Sequence, residues 1–227
     1  KDFNLCISKG EKVGVVGKSG CGKSTLGDII LGLLKPNNGF VYINDIDLFN
    51  SKSTLNQWQY LISHVPQFIY LSDSTIDANI AFGIPKKKID KSKLITAIKK
   101  SQLEDVIENL PQGLETKIGE RGIKLSGGQI QRIGIARSLY KMPKIILLDE
   151  ATSSLDNKTE AEVMKSIYEL SREITVIIIA HRLSTVKKCD KIFFLEKGKL
   201  EGIGSFNKLY KENKRFKILV NKEEKFK

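Results

Sequence analysis

Long apolar runs are missing from this chain. The longest, Lys144-Ile145-Ile146-Leu147-Leu148 and Thr175-Val176-Ile177-Ile178-Ile179-Ala180, fall far short of the roughly 20 residues that span a bilayer, so they read as buried strands. Cysteine is sparse: Cys6, Cys21 and Cys189 are three in number and widely spaced. That excludes a disulfide frame and a cysteine metal site, and fits reduced thiols in a cytosolic setting. No secretory leader, internal repeat or low-complexity linker is visible, and a chain opening at Lys1-Asp2-Phe3 without methionine reads as a fragment. Alanine and arginine are scarce beside lysine, isoleucine and asparagine. That bias of an AT-rich genome accounts for the net charge of +12 better than a polyanion partner does. The lysines are scattered, apart from Lys86-Lys87-Lys88 and the tail from Lys208. No nucleic-acid partner is therefore expected, since true binders cluster their cations on one face; a basic surface near a membrane is compatible with the charge.

What is present is a soluble-protein composition, 41% hydrophobic and 28% charged over 227 residues, enough for one large domain or two lobes. Alternation at residues 3–7 suits a half-buried strand. Strands are expected at 13–16, 40–43, 61–65, 145–148, 175–180 and 192–195, with a hairpin turn at Lys197-Gly198. Helices are expected at 26–34, 75–82, 91–100, 103–109, 159–170 and 185–188, and in the tail from Phe206. Apolar strands alternating with helices imply a mainly parallel sheet covered on both faces, an α/β fold, with a helical insert between its strands.

One stretch organises the rest: Gly17-Lys18-Ser19-Gly20-Cys21-Gly22-Lys23-Ser24-Thr25. It joins an apolar strand to a helix, the context in which this glycine pattern cradles phosphates. Its glycines let backbone N–H groups turn inward, and the helix start adds a positive dipole. Lys23 can reach β/γ-phosphates and the Ser24 hydroxyl can hold Mg²⁺. Cys21, inside a loop rich in N–H groups, is expected to be a reactive thiol whose alkylation blocks nucleotide binding.

A second constellation closes the strand at 145–148 with Asp149 and Glu150. Ligands sit at the carboxyl ends of strands in such sheets, so Asp149 is placed for Mg²⁺ through its water shell. Glu150 is placed to polarise an attacking water. A third, Leu125-Ser126-Gly127-Gly128-Gln129, opens a helix and makes a second anion-binding terminus. One nucleotide does not need two such termini within one chain. A head-to-tail dimer does, with Ser126 of each copy facing the phosphates held by the other's Lys23.

At this point the chain resembles the ATP-binding-cassette (ABC) ATPases, over essentially its whole length. Residues 125–129 are similar to the family signature, and 17–25 and 145–150 to its Walker motifs. Gln67 after Val65-Pro66 looks like the Q-loop glutamine, Ser153-Ser154-Leu155-Asp156 like the D-loop, and His181 like the switch histidine. On residue type alone, a lone histidine after a buried strand is more often structural, and His64 is left so. The resemblance implies a P-loop NTPase (RecA-like) core lobe, 1–68 and 138–227, with a helical signature lobe, 69–137. It implies ATP and Mg²⁺ as ligands, with Gln67 on the metal or water and His181 on the γ-phosphate. Residues 116–122 and 75–83 look like the exporter X-loop and first insert helix, surfaces that meet the coupling helices of a membrane domain. A bacterial exporter of lipid, lipid-linked oligosaccharide, peptide or drug is implied, its ATPase domain itself soluble and working at the cytoplasmic face of the inner membrane. The family's adenine-stacking aromatic lies further upstream than Phe3. The alternatives are a soluble ABC ATPase on ribosomes or DNA, and an importer's ATPase subunit. Residues 74–124 show no heptads of the kind the former inserts.

Overall fold

β-Branched and leucine-rich segments form the centre of the molecule, because only a sheet covered on both faces satisfies both sides of such strands. The computed structural model describes residues 4–119, 122, 124–152 and 155–225. It divides into two compact units: residues 1–64, 144–150 and 171–227, and residues 65–143 and 151–170. Phe3, Glu120, Arg121, Ser153 and Ser154, which the sequence reading singled out, lie outside the described residues.

The first unit carries the sheet. Its strands are β1 (Lys12–Gly17), β4 (Ile62–Val65, whose last residue belongs to the second unit), β5 (Ile145–Asp149), β6 (Thr175–Ala180), β7 (Lys191–Glu196) and β8 (Lys199–Gly204). Their order is β4-β5-β6-β1-β7-β8. β5, β6, β1 and β7 pair in parallel, and β8 returns antiparallel through the Lys197-Gly198 turn. Val13, Val15, Leu147, Ile177 and Phe193 are buried in its core. A separate hairpin, β2 (Tyr42–Ile43) and β3 (Ile46–Asp47), turns at Asn44 and Asp45, both at positive φ, as a tight hairpin turn requires.

Helix α1 (Lys23–Ile30) follows β1. Helix α2 (Lys52–Leu61) has no counterpart among the expected elements. Ser51 caps it by accepting the Thr54 N–H at 3.1 Å, and Trp58 anchors it by donating to the Ile30 carbonyl at 2.6 Å. Residues 4–7 alternate in burial as expected, with Leu5 and Ile7 against the core, but they form no strand. Alternation sets which side chains face inward, and a strand also needs a partner edge.

The second unit is helical: α3 (Ile76–Ile80), α4 (Lys91–Lys100), α5 (Glu104–Glu108), α6 (Gly127–Tyr140) and α7 (Asn157–Tyr168). Its bounds differ from the expected lobes of 1–68, 138–227 and 69–137. α7 belongs to it, and Arg132 of α6 pairs with Glu162 of α7 at 2.6 Å. The first unit ends in α8 (Phe206–Glu212) and α9 (Lys214–Lys225). Among the described residues no helix is long and apolar enough to cross a membrane.

Candidate functional site

The sheet's parallel register decides which residues meet. Val16 of β1 lies level with Ala180 of β6, and Asp149 of β5 level with Ile179. Asp149 therefore sits two strands from β1, about 10 Å across the sheet, at the same carboxyl edge. His181 leaves β6, the strand between them.

The loop after β1 is built by its own backbone. Gly17, at φ 156°, runs so close to Leu195 that an added Cβ would lie 2.2 Å from its carbonyl oxygen. Gly22, at φ 101°, is the left-handed N-cap of α1, a conformation that side chains disfavour. The Cys21 N–H donates to the Lys18 carbonyl at 3.2 Å, and the Gly198 N–H donates to the Cys21 carbonyl at 3.1 Å. The buried Lys23 ammonium donates to the carbonyls of Gly17 (3.0 Å) and Lys18 (3.3 Å). Those tethers hold the charge inside the loop's curve. Lys18, Ser19, Gly20, Ser24 and Thr25 are exposed. Cys21 corrects an expectation: its thiol is buried, 4% exposed, in the core cluster and against Gly17. It faces away from reagents, so alkylation of the folded chain is not the probe that the sequence suggested.

At the end of β5, Glu150 adopts φ 50° and donates its N–H to the Ile179 carbonyl at 2.9 Å. Its carboxylate meets the His181 Nε2 at 2.6 Å. An acid and a histidine, from adjacent strands, thus form one pair at the carboxyl edge. Burial, and next the neighbouring Glu150 charge, hold the Asp149 carboxyl above its ordinary range, while His64 and Lys23 pull it down. Desolvation lowers the pKa of His64, against Asp149 and Asp28. His64 and Asp28 thus join the site's electrostatics, which the sequence reading missed. The available signals were the place of His64 near the end of β4 and the spacing of Asp28 one helical turn after Ser24.

Among the described residues no cluster of three or more His, Cys, Asp or Glu forms a ready metal cage. Mg²⁺ keeps waters and arrives with phosphates on one or two carboxylates. A desolvated Asp149 and the Ser24 hydroxyl fit that donor set.

Gln67 and the Ser126 segment belong to the second unit. Gln67 is half-buried, two residues past β4. Ser126 caps α6: its Oγ accepts the Gln129 N–H at 3.3 Å, and the Gln129 Oε1 accepts the Ser126 N–H at 2.9 Å. The two glycines differ. A Cβ on Gly128 would lie 2.5 Å from Cγ2 of Thr159 in α7, whereas one on Gly127 meets nothing within 4 Å. Gly128 is thus required by helix packing, and Gly127 has no crowding inside the chain. Asp156, from the D-loop stretch, caps α7 by accepting the N–H groups of Lys158 and Thr159, each at 3.0 Å.

The family model described as ABC transporter matches residues 1–153. The chain is 40% identical over 213 residues to "ABC transporter ATM1" of Toxoplasma gondii, covering 94% of this chain and 18% of that protein. It is also 40% identical over 213 residues to "ATP-dependent lipid A-core flippase" of Cupriavidus metallidurans, covering 92% of this chain and 35% of that protein. Among solved structures, a bacterial Atm1-family ABC exporter with ATP bound matches with a TM-score of 0.86 and 36% identity, over 96% of this chain and 37% of that one. The chain thus spans between 18% and 37% of the length of these relatives.

Proposed function

The chain belongs to the ABC transporter family, and from that premise we propose that it binds and hydrolyses ATP to power export or flipping of a substrate across a membrane. The observation that carries the reading is the Glu150–His181 pair, 2.6 Å apart, at the sheet edge that also bears the Gly17–Thr25 phosphate loop. In this mechanism the loop amides and Lys23 take the charge of the β- and γ-phosphates. Glu150 accepts the proton of the attacking water, and His181, hydrogen-bonded to it, orients that carboxylate and contacts the γ-phosphate. Ser24 and Asp149 would hold Mg²⁺, which when bound neutralises phosphate charge.

Two further features support an assembly. Gly127 is open on its Cβ side, which suits close approach of a group from outside the chain, and Ser126 to Gln129 present the start of α6. A second copy, head to tail, would place its nucleotide there. In the second unit Phe68, Tyr70 and Phe82 are exposed. The Arg137 guanidinium stiffens this region, lying 4.7 Å from the Phe82 ring and donating to the Tyr70 and Asn79 carbonyls at 2.9 Å. Exposed aromatics on a rigid support suit docking, here of the transporter's membrane domain at the cytoplasmic face. The relatives named for export and flipping favour this reading over a soluble or importer ATPase.

The test is ATP turnover by wild type and Glu150→Gln. The variant is expected to bind ATP normally, to lose about 10²- to 10⁴-fold in kcat, and to accumulate ATP-dependent dimers in size-exclusion chromatography. Near-normal turnover by the variant would remove Glu150 from the mechanism.

A further inference from the structure

The chain ends in a basic helix to which the catalytic reading assigns no part, yet its contacts run to the site. His181 is followed by Arg182 and a single 3-10 turn, Leu183–Val186. The first N–H groups of such a turn need acceptors. Leu183 is buried, so water cannot supply one, and the N-cap residue, Arg182, gives no side-chain cap. The acceptor comes from 40 residues downstream: the Glu223 Oε2 of α9 accepts the Leu183 N–H at 2.9 Å. A capping role normally played by a neighbouring Ser or Asp is here delegated to the C-terminal helix.

The helix is held where this contact requires it. Phe216, Val220 and Glu223 recur at i, i+4 and i+7, one face of α9. Phe216 is fully buried, edge-on to Phe194 of β7 and to Phe206 of α8, each at 5.5 Å. Val220 is buried as well. Asn213 fixes the start of α9: its Oδ1 accepts the Phe216 N–H at 2.9 Å, and its Nδ2 donates to the Glu201 carbonyl of β8 at 2.8 Å. The turn is fixed from its other side, since buried Val186 packs where Gly14 of β1 has no side chain. A second, exposed link runs from Arg215 of α9 to Glu196 (2.9 Å), which also meets Lys18 of the phosphate loop (3.6 Å). Exposed pairs contribute little, so Glu223 is the decisive contact.

We propose that α9 is a working part of the site and that Glu223 is a positioning residue: through the Leu183 N–H it holds the turn after His181, and so the imidazole, in register with Glu150. The kinetic part of this rests on the ATP-hydrolysis reading; the structural part does not. The chain has two histidines, His64 and His181, so imidazole NMR separates them cleanly. In the full 227-residue chain, Glu223→Ala is expected to move the His181 signals and leave those of His64 in place. It should lower kcat about tenfold or more with KM for ATP nearly unchanged, as small misplacements of a reacting group do. Glu223→Gln, which keeps an acceptor oxygen, should restore both readouts. Glu223→Met keeps side-chain length without the acceptor and replaces Ala if that variant unfolds. The proposal is overturned by an unmoved His181 signal in Ala and Met, by His64 moving equally, by KM changing in place of kcat, or by Gln behaving as Ala. A wild type without ATP turnover would overturn the function reading alone, and the His181 signals would still decide the contact.

Discussion

Glu150 is the residue on which local geometry and chemistry compete most directly. A φ of 50° is uncommon for a side chain that has no special tolerance of it, and such conformations cost on the order of 1–3 kcal/mol. The Ile179 carbonyl and the His181 ring hold it there. Its neighbour Asp149 is held unfavourably too. Burial and the Glu150 charge raise its pKa, so the folded state favours the protonated carboxyl. Stability is then greatest with that proton in place and is lost as pH rises through the raised pKa. Asp149→Asn should therefore raise the melting temperature of the ligand-free chain at pH 7 while abolishing ATP turnover. The gain should shrink as pH falls through the raised pKa and be gone by about pH 4, below which the wild-type carboxyl is protonated in the folded and unfolded chain alike. Calorimetry across pH tests this, and a wild type that outlasts the variant at neutral pH refutes it.

Among the elements, α6 sets its two opening glycines in different surroundings. Gly128→Ala would press a Cβ into Thr159 of α7, and a clash between packed helices costs about 1–3 kcal/mol. Thr159→Ser removes the offending Cγ2 and should recover most of that loss in the double variant. Gly127→Ala meets no atom of this chain and should fold with equal or slightly better stability, since alanine favours helix. If the α6 start receives a partner's nucleotide, that same variant should still lose ATP turnover. Denaturation midpoints beside rates separate the two cases, and a fully active Gly127→Ala would argue against the approach of anything to that backbone.

For the whole molecule, Lys23 and Ser126 belong to different compact units, and the head-to-tail assembly proposed above asks that a site take one from each copy. Mixing settles this. Lys23→Ala and Ser126→Arg chains should each be inactive alone. An equal mixture of chains that exchange freely should recover about one quarter of the wild-type rate, because half the dimers are mixed and each of those keeps one intact site. No recovery on mixing, with exchange verified, would mean that each chain completes its own site.

The chemistry-bearing stretches were legible because their physics is local. A glycine loop between strand and helix, two acids ending an apolar strand, and Ser-Gly-Gly-Gln opening a helix each act through their own backbone and neighbours, and their order along the chain carries the family resemblance. Most strands followed from apolar runs too short for anything else, while residues 4–7 form none and the order of strands in the sheet had no local signal. What the sequence could not specify depends on residues far apart along the chain. The inward turn of the Cys21 thiol depends on Gly17 and Leu195. The 2.6 Å pair of Glu150 and His181 depends on β5 and β6 lying side by side. The influence of the Asp28 and His64 charges on Asp149, and the cap that Glu223 gives to Leu183, depend on packing that joins segments tens of residues apart. Sequence by itself determined that this chain carries a glycine loop between strand and helix and an apolar strand that ends in two acids. Tertiary structure decided which side chains hold that acid and its histidine in place, because long-range hydrogen bonds and close packing leave no periodic or local trace in the chain.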